Sequence, residues 1–288
     1  MTLARPRRLR SFAPVDVLNA TMSVAGLDGA GGLAYGQHPR QRLDIYRPSK
    51  AAGPLPVVVF FYGGAWQTGE RGNYLFVAAS LARAGMVVAV PDYRVLPDVR
   101  FPGFLADCAQ AVAQVRRVAP HWGGDPARLF VMGHSAGAYN AAMLALDPRF
   151  LLAAGDSRDR LAGMIGLAGP YDFLPFLSDD IRAVFAPAAD PRETQPIGHV
   201  DGGNPPLLLL HGGSDDTCYP RNSLALAARV RAAGGPATAR IYRRVGHIGI
   251  IGSFAPLLRW QAPALADTTA FISGTLAGQA GRVIEPAA

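Results

Sequence analysis

Apolar residues in this chain fall into two recurring patterns. Short continuous runs rich in Val, Leu, Ile and Phe alternate with longer segments whose apolar positions recur at helical spacing. The runs "LPVVVFFYGG" (55–64), "MVVAVPDYR" (86–94), "RLFVMGHS" (128–135), "MIGLAG" (164–169) and "PLLLLHGG" (206–213) read as strands, the first of them apolar enough to be buried on both faces. "QRLDIYRP" (41–48) and "ARIYRRV" (239–245) read as strands as well. The spacing predicts helices over 73–85, with a glycine stop, over 101–120, with Pro102 near its start, over 136–146 and 221–234, and a last one within 263–278. Strands alternating with helices call for an α/β fold: a mostly parallel sheet with helices on both faces. Such sheets bind their ligands beyond the carboxyl ends of the strands. Residues 1–40 are rich in Gly, Pro and Arg, have no clear period, and read as an N-terminal arm or partial cap ahead of the domain 41–288. Residues 171–193 are irregular and aromatic, and are expected to act as a small cap over a pocket.

One strand end stands out. In "FVMGHSAGAYNAAM" (130–143) an apolar run breaks at Gly133, and Ser135 sits where the strand must reverse into a helix. Glycines at 133 and 137 remove the side chains that would clash in so sharp a turn. The turn lifts the hydroxyl to the carboxyl edge of the sheet and sets the next backbone N–H groups at a helix N-terminus, where negative charge is favoured. This is the physical logic of a G-x-S-x-G nucleophile elbow; its bland counterpart is an ordinary strand-to-helix turn with a small residue.

A serine hydroxyl needs a base, and the base needs an orienting acid. For this topology the chain order should be Ser, then Asp or Glu, then His. Of His38, His121, His134, His199, His211 and His247, only His247 lies downstream of an acid on a later strand end. It falls in "RRVGHIGI" (243–250), expected to be a loop. His134 adjoins the serine and would point away from it. The acid comes from "LLLLHGGSDDTCYP" (207–220), where a buried strand opens into a glycine turn carrying Asp215 and Asp216. Adjacent residues project differently, so one of the two serves.

Acyl transfer also needs donors for a developing oxyanion. One should be the N–H of Ala136; the others should come from the glycine-rich loop after an earlier strand, "FFYGGAWQTGER" (60–71), with the N–H groups of Gly64 and Ala65 pointing inward. Trp66, Tyr62, Tyr139, Tyr171, Phe173 and Ile248 are the residues expected to line the substrate pocket.

Taken in order, "YGGAW", "PDYRVLP", "GHSAG", "HGGSD" and "GHIG" resemble the α/β-hydrolase fold esterases. Within them the chain is similar to the H-G-G-x-W branch of carboxylesterase-like and kynurenine-formamidase-like hydrolases, neighbours of the hormone-sensitive-lipase-like esterases. The resemblance covers roughly residues 40–275. It implies Ser135 as nucleophile, His247 as general base and acid, Asp215 as the acid of an H-G-x-x-D pattern, and 62–66 as the oxyanion loop, with no metal or cofactor. One departure is plain: the loop usually begins with His, and here it begins with Tyr62. The histidine is expected to brace the loop from its side chain, a task a tyrosine hydroxyl would perform from a different reach. The activity implied is hydrolysis of carboxylic esters of small or medium acyl chain. The alternatives are an arylformamidase and, from another class, a hydrolase-fold protein that binds without catalysis.

Composition narrows the partners. Net charge is +7, which raises a nucleic-acid partner. Yet Lys50 is the only lysine among 28 basic residues, the arginines are scattered apart from Arg5, Arg7, Arg8 and Arg10, and no nucleic-acid motif accompanies them. The expected partner is a small-molecule ester, not nucleic acid. Cys108 and Cys218 are expected to be buried free thiols. There is no apolar run long enough for a membrane span and no signal-peptide core, so the default compartment is the cytoplasm, with secretion after loss of a leader as the alternative.

Overall fold

The computed structural model describes residues 17–19 and 22–283. Every segment read as a strand is one, in a single eight-stranded sheet: β1 (Leu27–Ala34), β2 (Arg42–Pro48), β3 (Leu55–Phe61), β4 (Val87–Pro91), β5 (Gly124–His134), β6 (Gly163–Leu167), β7 (Leu207–Gly212) and β8 (Ala237–Tyr242). The spatial order is β1-β2-β4-β3-β5-β6-β7-β8. β2 runs antiparallel to both β1 and β4, and the remaining pairs are parallel. Helices α1 (Leu75–Arg83), α2 (Gly103–Val118), α3 (Ala136–Leu146), α4 (Pro148–Ala153), α5 (Asp179–Phe185), α6 (Arg221–Ala232), α7 (His247–Gly252) and α8 (Ala264–Val283) complete the α/β-hydrolase fold.

Burial explains why the central strands lack alternation. β4, β6 and β7 are buried at every residue, as are the last five residues of β3, because helices cover both faces. The edge strand β8 instead alternates between half-buried and exposed positions.

β1 corrects the reading of residues 1–40 as an arm without period, since Leu27–Ala34 is the outer edge of the sheet. Its sequence, LDGAGGLA, offers too few side chains to show a period, and its register shifts between Ala30 and Leu33. Gly29 is required there: a Cβ would lie 2.4 Å from the Ile45 carbonyl oxygen. Two short helices also escape periodicity. α4 starts at Pro148, with Asp147 capping the Arg149 N–H. α5 lies inside the segment read as irregular, capped by Ser178 and carrying Asp179 and Asp180 in its first turn, where the helix dipole favours acids.

α3 is buried along its whole length, packed on β3, β5 and β6 and covered by α2 and α4. Its run of alanines permits that close approach. At the elbow the fit is tightest: a Cβ on Gly137 would sit 2.0 Å from the Phe61 carbonyl oxygen, and one on Gly133 would sit 2.2 Å from Gly137. Gly137→Ala is therefore expected to lower stability by at least about 1–3 kcal/mol, the range for overpacked cores, read as a reduced denaturation midpoint. An unchanged midpoint would mean that α3 can slide off β3 without cost.

Candidate active site

The site forms where β3, β5, β7 and β8 end. Ser135, between β5 and α3, has φ 55° and ψ −122°, a conformation that costs a non-glycine residue about 1–3 kcal/mol. The surroundings hold it there: its N–H donates to the Leu167 carbonyl at the end of β6 (2.9 Å), and its carbonyl accepts from Ala138 and Tyr139. The hydroxyl lies 2.9 Å from His247 Nε2, and His247 Nδ1 lies 2.8 Å from Asp215 Oδ2. The carboxylate therefore fixes the tautomer, with the proton on Nδ1 and the lone pair of Nε2 facing the serine. It is Asp215 that His247 meets; Asp216 is exposed.

Asp215 is itself strongly held. Its other oxygen accepts the N–H groups of Thr217 (3.0 Å) and Cys218 (2.8 Å). His211 Nε2 lies 3.2 Å from Asp215 Oδ2 and 2.6 Å from the Cys218 carbonyl, both acceptors, so Nε2 carries the proton and Nδ1 accepts from the Ser223 hydroxyl at 2.8 Å. Burial pushes the Asp215 carboxyl up, but hydrogen bonds from His211, His247 and the Cys218 N–H together outweigh it and hold the group well below the usual carboxylate range. Sequence order set His211 aside because it precedes the acid; the turn after β7 folds Asp215 back onto it, four residues on.

His247 is the first residue of α7, not part of a loop. The Gly–His–Ile–Gly sequence hid a six-residue helix too short to show a period. The His134 side chain reaches His247. Its Nε2 donates to the His247 carbonyl at 3.0 Å, and the two rings stand 4.9 Å apart. Its Nδ1 is buried without a partner and faces Gly63, where a Cβ would come within 3.2 Å. One side chain thus links the glycine-rich loop at Gly63 with the main chain of His247. Burial, reinforced by the neighbouring His247, pulls the His134 pKa down to about 3.

In the glycine-rich loop, Gly64, Ala65 and Trp66 have φ 132°, 51° and 58° in succession. The Gly64 carbonyl accepts from Gln67 and Thr68 and closes the turn. Ala65, Ser135 and Ala136 line one cavity of about 370 Å³, and the N–H groups of Ala65 and Ala136 take no acceptor among the described residues. Gly64 lies behind the lining. Trp66 is fixed by its Nε1, which donates to Asn140 (3.0 Å), and by edge contacts with Tyr139 and Phe185.

Trp66 and Phe173 line the cavity as expected from sequence. Tyr62, Tyr139 and Tyr171 do not, because each is fully buried behind it. Tyr171 fills the space that Gly166 and Gly169 leave open, and Tyr139 backs Trp66. Tyr62 braces the loop from below: its hydroxyl donates to Asp92 (2.8 Å) and accepts from Arg40 (2.9 Å), while its carbonyl accepts from Tyr93 (2.7 Å). Ile248 is 65% exposed on α7 and outside the lining.

The rest of the apolar lining comes mainly from Leu174, Pro175, Phe176, Leu177 and Ile181, within the segment 171–193 read as a cap; of these the aliphatic residues were not singled out from sequence. Two buried amides tie the start of this segment down. Asn222 Oδ1 accepts the N–H groups of Tyr171 and Asp172 (both 2.8 Å), and Gln195 Oε1 accepts that of Phe173 (2.8 Å). Among the described residues, no cluster of three or more His, Cys, Asp or Glu could hold a metal, both cysteines are buried free thiols, and no helix is long and apolar enough to cross a membrane.

Comparison with known proteins follows the same lines. The BD-FAE family matches over residues 43–230. The chain belongs to that family. Among curated proteins, this BD-FAE chain is 29% identical over 236 residues to the isoprenylcysteine alpha-carbonyl methylesterase ICME of Arabidopsis thaliana, covering 75% of this chain and 55% of that one. It is 32% identical over 223 residues to the esterase LipC of Mycobacterium tuberculosis, covering 69% and 54%. A kynurenine formamidase of Danio rerio is 32% identical over 145 residues, covering 50% and 47%. The chain thus spans about half the length of the curated relatives it matches. Among solved structures, the carboxylesterase EstE1 superposes with TM-score 0.74 at 22% identity, over 91% of this chain and 94% of that one. An esterase B from Lactobacillus rhamnosis gives 0.75 at 21%, over 92% and 93%. These two show the shared fold.

Folded-state His134 stays neutral down to about pH 3, whereas an unfolded histidine takes up its proton near 6.5. Its contribution to stability is therefore complete above about pH 6.5 and lost progressively as pH falls toward 3, while that of Asp215 is lost only below the ordinary carboxylate range. Denaturation midpoints measured between pH 7 and pH 4 should fall in the native protein and fall less steeply in His134→Phe. Equal slopes in the two would mean that His134 is not buried as a neutral ring.

Proposed function

We propose that the chain is a serine hydrolase of carboxylic esters with small or medium acyl groups, working through an acyl-enzyme on Ser135. The observation that carries this reading is the continuous chain of hydrogen bonds Ser135–His247–Asp215, 2.9 and 2.8 Å long, opening onto an apolar cavity. His247 Nε2 takes the hydroxyl proton as Ser135 Oγ attacks the ester carbonyl. Asp215 keeps the imidazole in the productive tautomer and stabilises the imidazolium. The oxyanion meets the N–H groups of Ala65 and Ala136, with Gly64 shaping their loop; each such donor is worth roughly 2.7–4 kcal/mol. His247 then returns its proton to the leaving alcohol. Water, deprotonated by the same nitrogen, frees the acid and restores the serine.

The relatives named as esterases support this reading. The kynurenine formamidase supports a second reading, hydrolysis of an arylformamide, over a shorter match. The longer matches to relatives named as esterases make the ester the first substrate to test.

The test is hydrolysis of 4-nitrophenyl esters from acetate to decanoate, with N-formylkynurenine alongside, by wild type, Ser135→Ala and Asp215→Asn. Ester turnover is expected in wild type, with kcat reduced by about 10⁴-fold or more in Ser135→Ala and by a comparable factor in Asp215→Asn, which leaves the base in the wrong tautomer. Turnover of the formamide alone would move the second reading to first place. Full activity in Ser135→Ala would remove the serine from the reaction.

A further inference from the structure

The cavity beside Ser135 has two chemically unlike walls. One, running from Phe173 to Ile181, presents two aromatic rings, one proline and branched aliphatic chains. The other, from Thr217 to Asn222, carries the one cationic side chain of the lining, Arg221. The Arg221 guanidinium lies 5.4 Å from the centroid of the Tyr219 ring on the same wall. The ring face steadies the cation without using its N–H donors. Among the described residues no carboxylate or carbonyl takes those donors. Arg221 is exposed, whereas the more buried Arg40, Arg71, Arg94, Arg116 and Arg158 are all engaged with side-chain partners.

Local stability does not account for this cation either. Arg221 is the first residue of α6, where the positive end of the helix dipole disfavours positive charge. An unpaired arginine in an adverse helix position, on the wall of the reaction cavity, is placed for something that enters the cavity. The other formal charge on the lining, Asp172, stands on the opposite segment and forms no ion pair with it.

We propose that Arg221 is a specificity determinant that receives a free carboxylate of the substrate, so that the preferred esters carry an acid group separated from the scissile carbonyl by an apolar spacer. The apolar wall takes the spacer, and the planar guanidinium fork takes the carboxylate. Asp172 acts in the opposite sense and moderates the preference. This inference rests on the ester-hydrolase reading above.

The experiment compares matched pairs differing in one charge. Mono-4-nitrophenyl adipate against 4-nitrophenyl hexanoate places the carboxylate on the acyl side; 4-acetoxybenzoate against its methyl ester places it on the leaving group. Rates are normalised to spontaneous hydrolysis, and the readout is the acid-to-neutral ratio of kcat/KM. In wild type this ratio should exceed one for at least one pair and shrink with added salt. It should fall about fivefold to tenfold in R221Q, the range for a partly exposed charge-assisted pair, and mostly through KM. R221K should retain part of it, R221E should reverse it, and D172N should raise it. A ratio at or below one for both pairs in wild type, or one that survives in R221Q and R221E, overturns the proposal. Binding to Ser135→Ala by calorimetry separates the two readings. Tighter binding of the adipate monoester than of the hexanoate, lost when R221Q is added, supports the charge site even if no ester is turned over; equal binding sinks it even if every ester is.

Discussion

The site depends on one backbone turn. At Ser135 the chain leaves the centre of a buried parallel sheet and enters a buried helix within a single residue, at a φ that only glycine adopts freely. The turn survives because its neighbours leave it no alternative. Gly133 and Gly137 let the backbone segments touch, the Ser135 N–H is held by β6, and α3 is packed against β3, the strand that leads into the oxyanion loop. Since β3 and β5 are adjacent in the sheet, the loop and the elbow are set in register by the same hydrogen bonds that build the core.

A second layer of buried polar groups keeps the working side chains in place. Asp92 accepts from Tyr62 and from the Arg71 backbone and pairs with the Arg71 guanidinium, so the base of the oxyanion loop rests on a charged cluster. His211 supports Asp215 in a comparable way, and His134 ties the main chain of His247 back to the residue before the nucleophile. Each of these contacts satisfies a buried polar atom as well as orienting a neighbour, which makes them costly to remove singly.

What the sequence made legible was whatever sits on a strand end. Strand runs buried on both faces announce themselves by continuous apolar composition, and the turns that follow them carry Gly, Ser, Asp and His in a fixed chain order. That is why Ser135, Asp215 and His247, which the fold brings into one hydrogen-bonded chain, stand out in the sequence, and why the glycine loop does too. The misses share a different physics. β1 is an edge strand of glycines with little side-chain pattern. The tyrosines at 62, 139 and 171 were placed on the pocket by their aromatic character, but whether a ring faces a cavity or backs its wall depends on tertiary packing, which no local period encodes. His134 acts through a contact with His247, far away in sequence, His211 through the local turn that folds Asp215 and Cys218 back onto it, and α5 is a seven-residue helix hidden within an aromatic stretch.

The placement of the site along the chain has a consequence for how its selectivity could be altered. Ser135, His247, Asp215 and the Ala65 loop all follow strand ends locked in the sheet. One whole wall of the cavity instead comes from a single excursion between β6 and β7, fastened to the body at its start by the side-chain amides of Asn222 and Gln195. Insertions and substitutions in that excursion can remodel which molecules fit without disturbing a ladder hydrogen bond. The hydrogen-bonded triad and the shape of the space beside it are thereby set by separable stretches of chain, so the room can be refurnished without moving its foundations.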